Sequence, residues 1–362
     1  MVRASGRMSM NDLPHDDEAA LQPHGAVVPG LGVLSSAQHG ARMARPDPAL
    51  LCVDLPGRRM VLVTGGTGFI GQRLVAALAS AGHGVIVLTR DRNKAWPWPQ
   101  GSVIRIVTRL DAIGPSERID AIVNLAGEPI SDSPWTRSKR QRILRSRLKV
   151  TREILRLLAR LEHKPMLVSG SAIGWYGLRG DEPLTEASDC RPCFSHDICA
   201  RWERMASRAE ALGVRTVLLR TGLVLDHDGG MLARLLTPFK FGLGGRFGSG
   251  AHWMSWIHRD DMVRLIIHTI ATPGVKGPLN ATAPEPVTNR HLTQALARAL
   301  HRPALIPIPA WPLRLVLGDF AQELLLSGQR VLPQLALRSG FRFRYVTIET
   351  ALAEMIGSSG QA

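Results

Sequence analysis

A nine-residue run, Val63-Thr64-Gly65-Gly66-Thr67-Gly68-Phe69-Ile70-Gly71, constrains this chain more than any other feature. It directly follows a short apolar strand, Met60–Thr64, and opens a segment of helical period over Phe69–Ala81. In such a unit Gly65 permits a tight turn, Gly68 lets the backbone approach a pyrophosphate, and Gly71 lets helix and strand pack closely. Thr67, Phe69 and Ile70 complete the loop. The helix N-terminus then offers free N–H groups and a positive dipole end to phosphate oxygens. The competing reading is a structural Gly-rich turn.

Short apolar segments continue at Val85–Leu88, Val103–Val107, Ala121–Leu125, Met166–Ser169 and Val214–Leu219. Helical stretches at about Thr136–Arg160 and Asp197–Leu212 alternate with them. That alternation predicts an α/β fold, a doubly wound parallel sheet of the Rossmann kind over 60–225. After Arg220 the alternation breaks into a Gly-rich stretch, a helix over Arg259–Ala271 and Pro-punctuated sequence. A smaller substrate-side lobe over 226–303, with elements returning to the sheet, and a small C-terminal domain over 304–356 are expected. Residues 1–58, rich in Pro, Gly, Ala, Ser and His without a sustained period, read as a disordered extension.

The net charge of +15 is uneven. Residues 136–164 hold eleven Lys/Arg and two acids, whereas residues 1–59 hold six of each. Such a basic block points to a phosphate-bearing partner or to a solvated helix face. It lacks the interleaved aromatics of a nucleic-acid binder, so no nucleic-acid partner is expected. Four cysteines in 362 residues do not make a disulfide scaffold, and a reducing compartment fits. No eighteen-residue apolar run is present, and acids crowd the N-terminus. A cytoplasmic protein without a membrane partner is expected.

The end of the second strand bears on cofactor type. An acid there favours the ribose hydroxyls of NAD. Here the sequence reads Leu88-Thr89-Arg90-Asp91-Arg92. A guanidinium suits a 2′-phosphate through charge-assisted hydrogen bonds, so Arg90 favours NADP, while Asp91 keeps NAD open.

The run Thr64–Gly71, with Asn124-Leu-Ala-Gly127 closing the fourth strand, resembles the extended short-chain dehydrogenase/reductases of the NAD-dependent epimerase/dehydratase superfamily. Ser171-Ala-Ile-Gly-Trp-Tyr-Gly177, Arg220-Thr-Gly-Leu-Val-Leu225, Ser255-Trp-Ile-His258 and Leu326-Ser-Gly-Gln-Arg-Val-Leu-Pro333 resemble an atypical subgroup, the epimerase family proteins. The likeness runs from Met60 to about Met355. It implies NADP as cofactor, with Thr89 and Arg90 at the adenosine phosphate. It also implies Leu125 and Ala126 lining the cleft, Arg142 and Arg147 on the following helix, and Val224 after the sixth strand. Arg142 and Arg147 lie about 140° apart around a helix and need not share a face.

Typical members of that superfamily use a Ser/Thr, a Tyr and a Lys four positions after the Tyr, the Lys lowering the Tyr pKa for acid/base work. Ser171 fits the first place and is a candidate catalytic residue. Counting back from Glu203, Ser195 stands in the Tyr place and Cys199 in the Lys place, so the pair is missing. Tyr176 reads as pocket lining or packing, and His196 as a weaker acid/base candidate. The spacing Cys190-x-x-Cys193-x-x-His196-x-x-Cys199 diverges around a helix, so no metal is expected. Trp253, Trp256 and His258 read as a lid or as core, with Asp260-Asp261 capping a helix that begins near Met262. The expected activity is that of an NADP-dependent oxidoreductase or epimerase-like enzyme on a small-molecule or nucleotide-linked substrate. The alternative is a non-catalytic NADP(H)-binding regulator.

Overall fold

The computed structural model describes residues 51, 53–91 and 103–357. The chain runs β1 (Met60–Thr64), α1 (Phe69–Ser80), β2 (Gly84–Leu88), β3 (Ile104–Val107), β4 (Ala121–Asn124), α2 (Arg137–Arg160), β5 (Met166–Ala172), β6 (Pro183–Leu184), α3 (Phe194–Ala206) and β7 (Thr216–Thr221). Next come β8 (Leu223–Asp226), α4 (Gly230–Lys240), β9 (Trp253–Met254), β10 (Trp256–His258), α5 (Arg259–Ala271), β11 (Gly277–Ala281), β12 (Val287–Thr288) and α6 (Asn289–Ala299). The last elements are α7 (Ala310–Leu317), α8 (Asp319–Leu324), β13 (Arg330–Val331), α9 (Gln334–Arg338) and α10 (Ile348–Gly357).

Seven strands form one sheet in the order β11-β7-β5-β4-β1-β2-β3. Every pairing in it is parallel. This is the doubly wound α/β arrangement the alternation predicts. Strand period 2 splits β1 between two cores. Val61 and Val63 pack on one face with Leu74, Leu78, Met262 and Ile266 of α1 and α5. Leu62 packs on the other with Ile154, Leu157 and Leu158 of α2. The order of connection reverses between β1 and β4, which opens a crevice at their C-terminal ends, the place where ligands bind in open α/β sheets.

Several boundaries differ from expectation. The extension expected over 1–58 lies outside the described residues except at its end, where Leu51 and Leu55 are buried in the main core with Val53 against them. The returning element is β11, the sheet edge beyond β7, whose Gly277-Pro278 start hides it because Pro is tolerated at an edge. The segment 304–356 packs into cores shared with the rest of the chain. Its Tyr345, Ile348, Leu352 and Met355 share one core with Leu232, Trp256 and Leu296 of the preceding lobe, and its Ala336 and Phe341 join the sheet core. It is tied further by β13 pairing with β6.

The helix expected near Met262 begins at Arg259. His258 is its cap, accepting from Asp260 N at 3.1 Å through Nδ1. Asp260 and Asp261 are ion-paired and buried instead. Asp260 holds Arg73 of α1 at 2.7 Å, and Asp261 accepts from the backbone N–H of Arg344 and Tyr345. Trp256 and His258 are core residues, whereas Trp253 donates to Asp181 at 2.7 Å.

In α2 the basic block divides in two. Arg137, Arg145, Lys149, Arg152 and Arg156 are exposed and solvated. Lys139 is buried, and burial alone would lower its pKa. The carboxylates of Asp132 and Glu128, at 2.7 and 2.9 Å, outweigh that and raise it. Among the described residues no helix is long and apolar enough to cross a membrane.

Candidate functional site

The glycine turn has the geometry its sequence requires. Gly65 sits at φ +71°, and a Cβ there would lie 2.8 Å from the Leu125 carbonyl carbon. A Cβ on Gly71 would lie 2.1 Å from Gly65 O, so the helix can pack on the turn only with glycine at this position. Gly68 is exposed and is the N-cap of α1. It supplies no side-chain cap, and no acid lies in the first turn. Thr67, Phe69 and Ile70 are half-buried around this open, positively polarised end.

Three further elements frame the crevice. At the end of β2, buried Thr89 donates to Asp91 O at 3.0 Å and accepts from Asp91 N at 3.3 Å. This local turn presents exposed Arg90, which has no ion-pair partner among the described residues. Arg92 lies outside them. At the end of β4, Leu125 N donates to Thr64 O at 3.1 Å, and Ala126 follows, half-buried, against Gly65. The third element is β8, where a Cβ on Gly230 would lie 3.0 Å from Val224 O and 3.2 Å from the Phe69 ring. Val224 and Phe69 therefore both lie beside Gly230, the first residue of α4.

Arg147 and Arg142 converge on one loop from different depths. The half-buried Arg147 guanidinium donates to Glu128 O at 2.9 Å and lies 5.1 Å from the Trp202 ring centroid. Burial lowers its pKa. Arg142, exposed, stands 3.8 Å from the Glu128 carboxylate. With Lys139 on the same carboxylate, α2 fixes the loop that follows Ala126. Both arginines thus contact the loop that follows Ala126.

Beside Phe69 lies an ion cluster that the sequence did not reveal. His227 bridges Asp226 at 2.9 Å and Asp228 at 2.7 Å, and Arg259 reaches the same two carboxylates at 2.8 and 3.3 Å. Arg259 also lies 4.9 Å from the Phe69 ring centroid. The donor atoms of Asp226, His227 and Asp228 are close enough to hold a metal ion. Two cations already balance the two carboxylates, so the arrangement suits an ion-pair network better. Hydrogen bonds to Asp226 and Asp228 raise the His227 pKa to about 10. Burial works against the Asp226 carboxylate, but His227 and Arg259 bring its pKa down to about 2. Because the folded His227 pKa lies above its unfolded value, its stabilisation is full below about pH 6.5 and is lost as pH rises toward 10. The urea midpoint is therefore expected to fall between pH 6 and pH 9, and His227→Gln to flatten that fall. An unchanged slope in the variant would assign the fall to other groups.

Ser171, the candidate catalytic residue, is engaged in a buried network. Its Oγ donates to Glu203 Oε1 at 2.6 Å. Arg220 grips the same carboxylate at 2.9 and 3.0 Å, stacks 3.5 Å from the Trp175 ring centroid and donates to Tyr176 Oη at 3.1 Å. Tyr176 donates onward to Asn280 at 2.8 Å and is fully buried, so it packs and does not line a pocket. Burial raises its pKa.

The places of the missing pair are also occupied. Burial pushes the Cys199 thiol up to about 12, so it carries no charge at neutral pH. Ser195 donates through Oγ to Glu323 Oε2 at 2.5 Å. The Glu323 carboxylate also accepts from the backbone N–H of Phe194 and Ser195. It thereby caps α3, which starts at Phe194 rather than near Asp197. His196 Nδ1 lies 2.6 Å from Trp175 O. A cleft of about 360 Å³ opens beside α8, with Arg179, Asp181, His252, Trp253 and Gln322 among its walls.

A model of the NAD dependent epimerase/dehydratase family matches residues 61–281. The chain belongs to this family. Within it, the Bacillus subtilis epimerase family protein YfhF is 37% identical over 302 residues, covering 82% of this chain and 97% of its own. The Arabidopsis thaliana epimerase family protein SDR39U1 homolog, chloroplastic, is 39% identical over 310 residues, 84% of this chain and 88% of its own. The crystal structure of human epimerase family protein SDR39U1 (isoform 2) with NADPH superposes with a TM-score of 0.73 at 31% identity. That match covers 82% of this chain and 99% of the human one. Residues 308–355 match a domain of unknown function, DUF1731. In this epimerase-family chain that domain supplies Glu323 to α3 and β13 to β6.

Proposed function

We propose that this chain binds NADP(H) across the β1–β4 crevice and acts as an oxidoreductase or epimerase-like enzyme on a small-molecule or nucleotide-linked substrate. The observation that carries the reading is the open, acid-free N-terminus of α1 at exposed Gly68, with Arg90 projecting from the end of β2. The first-turn amides of α1 hold the pyrophosphate, Arg90 takes the 2′-phosphate, and Leu125, Ala126 and Val224 line the cleft. Thr89 shapes the turn that presents Arg90. The NADPH found with the human relative supports the choice of cofactor. When bound, the nicotinamide gives or accepts a hydride.

Proton handling differs from that of the Tyr–Lys members. The phenol of Tyr176 and the hydroxyl of Ser171 both serve the Glu203–Arg220 network. This specific observation favours a second reading, a non-catalytic NADP(H)-binding regulator. A fluorescence titration with NADPH and then NADH tests the shared premise. Tight NADPH binding and much weaker NADH binding is the expected result, and binding of neither rejects both readings. Cofactor turnover across a panel of carbonyl and nucleotide-linked compounds then separates enzyme from regulator.

A further inference from the structure

We propose that the ridge built from residues 241–248, residues 303–309 and α7 docks on an anionic lipid surface. Five large apolar side chains stand out of it almost bare: Phe241 at 76% exposure, Leu305 at 84%, Trp311 at 71%, Leu315 at 79% and Val316 at 76%. They belong to one region. Ile308 N donates to Arg246 O, Gly248 N donates to Ile308 O, and a Cβ on Gly242 would touch Pro303. Two residues later α7 begins, an apolar helix with none of its residues buried. Trp311 and Leu315 are four apart and share a face. Soluble surfaces rarely leave an apolar patch of this kind uncovered.

Charge selects the occupant. Residues 229–258 hold three Lys/Arg and no acid, and residues 287–318 hold four and no acid. Lys240, Arg302 and Arg314 are exposed beside the apolar side chains. Arg314 donates to the neutral Gln322, and none of the three has an ion-pair partner among the described residues. An isologous dimer would set this patch against its own copy and bring like charges together. A bilayer with anionic headgroups meets both features at once: it takes the apolar side chains to the acyl boundary and pairs the cations with phosphate. Tryptophan is the residue favoured at that depth. The mode is peripheral, with no helix crossing, and it replaces the expectation of no membrane partner. It stands independently of the cofactor reading.

The test is flotation of the full chain with vesicles of phosphatidylcholine alone and of an equal phosphatidylcholine–phosphatidylglycerol mixture, at low and high salt. The expected result is binding to the mixed vesicles, weakened by salt. Leu315→Asp and Lys240→Glu are each expected to lower it by about tenfold or more. Both positions are exposed, and unchanged thermal melts check that the variants fold. Failure to float with either vesicle, or equal flotation of wild type and both variants, overturns the proposal. So does a concentration-dependent dimer, seen by analytical ultracentrifugation, that Leu315→Asp abolishes in a chain that ignores vesicles. That result would assign the ridge to a second copy.

Discussion

Arg220→Met is expected to destabilise the protein by about 3–5 kcal/mol, the cost of leaving a buried carboxylate without its partner. Side-chain exposure is 2% for Arg220 and 7% for Glu203, so water cannot take over. Burial opposes the Arg220 charge, yet the two hydrogen bonds to Glu203 and its negative charge hold the guanidinium pKa above its ordinary value. Removing the guanidinium also strips Tyr176 Oη of a donor and Trp175 of its stacked cation. A domain whose total stability is about 5–15 kcal/mol loses a large share of it. The double variant Arg220→Met/Glu203→Leu removes both charges and is expected to regain part of the loss, since Ser171 Oγ then lacks its acceptor. Urea unfolding with an unchanged m-value measures both. A loss under about 1 kcal/mol for the single variant would show that Glu203 finds other compensation.

The features legible in the sequence were those set by near neighbours. Gly65, Gly68 and Gly71 announce the turn because backbone conformation and close approach are local demands. Six of the seven strands of the sheet are legible, β11 being the exception, because burial on both faces produces unbroken apolar runs such as Ala121–Val123. What was not legible depends on distant partners. The start of α3 is held by its N-cap Cys193, whose Sγ accepts from His196 N, and also by Glu323, which lies 128 positions beyond Ser195. The Ser171–Glu203–Arg220 network needs the register of β5 against β7, which pairs Ser171 with Arg220. Read singly, Ser171 looks catalytic, Glu203 marks a helix and Arg220 belongs to a motif. Packed together, they form a self-satisfied ion-pair network. Likewise Asp260 looks like a helix cap until Arg73, 187 positions earlier, is brought to 2.7 Å.

Arg90→Ala is expected to weaken NADPH binding by about 10–100-fold while leaving NADH nearly unchanged. That range follows from one charge-assisted contact of about 1.5–3 kcal/mol to a 2′-phosphate that NADH lacks. Arg90→Glu goes further, because a carboxylate repels the phosphate and can accept from the ribose hydroxyls, so the preference should invert toward NADH. Arg90 is exposed, and the turn that presents it is held by Thr89 and Asp91, so neither substitution should alter the melting temperature. The wild-type preference should shrink as salt rises, since the contact is open to water. Retained NADPH preference in Arg90→Ala would move the phosphate site elsewhere on the crevice rim. Loss of both cofactors together would mean that Arg90 supports the glycine turn rather than reading the ribose.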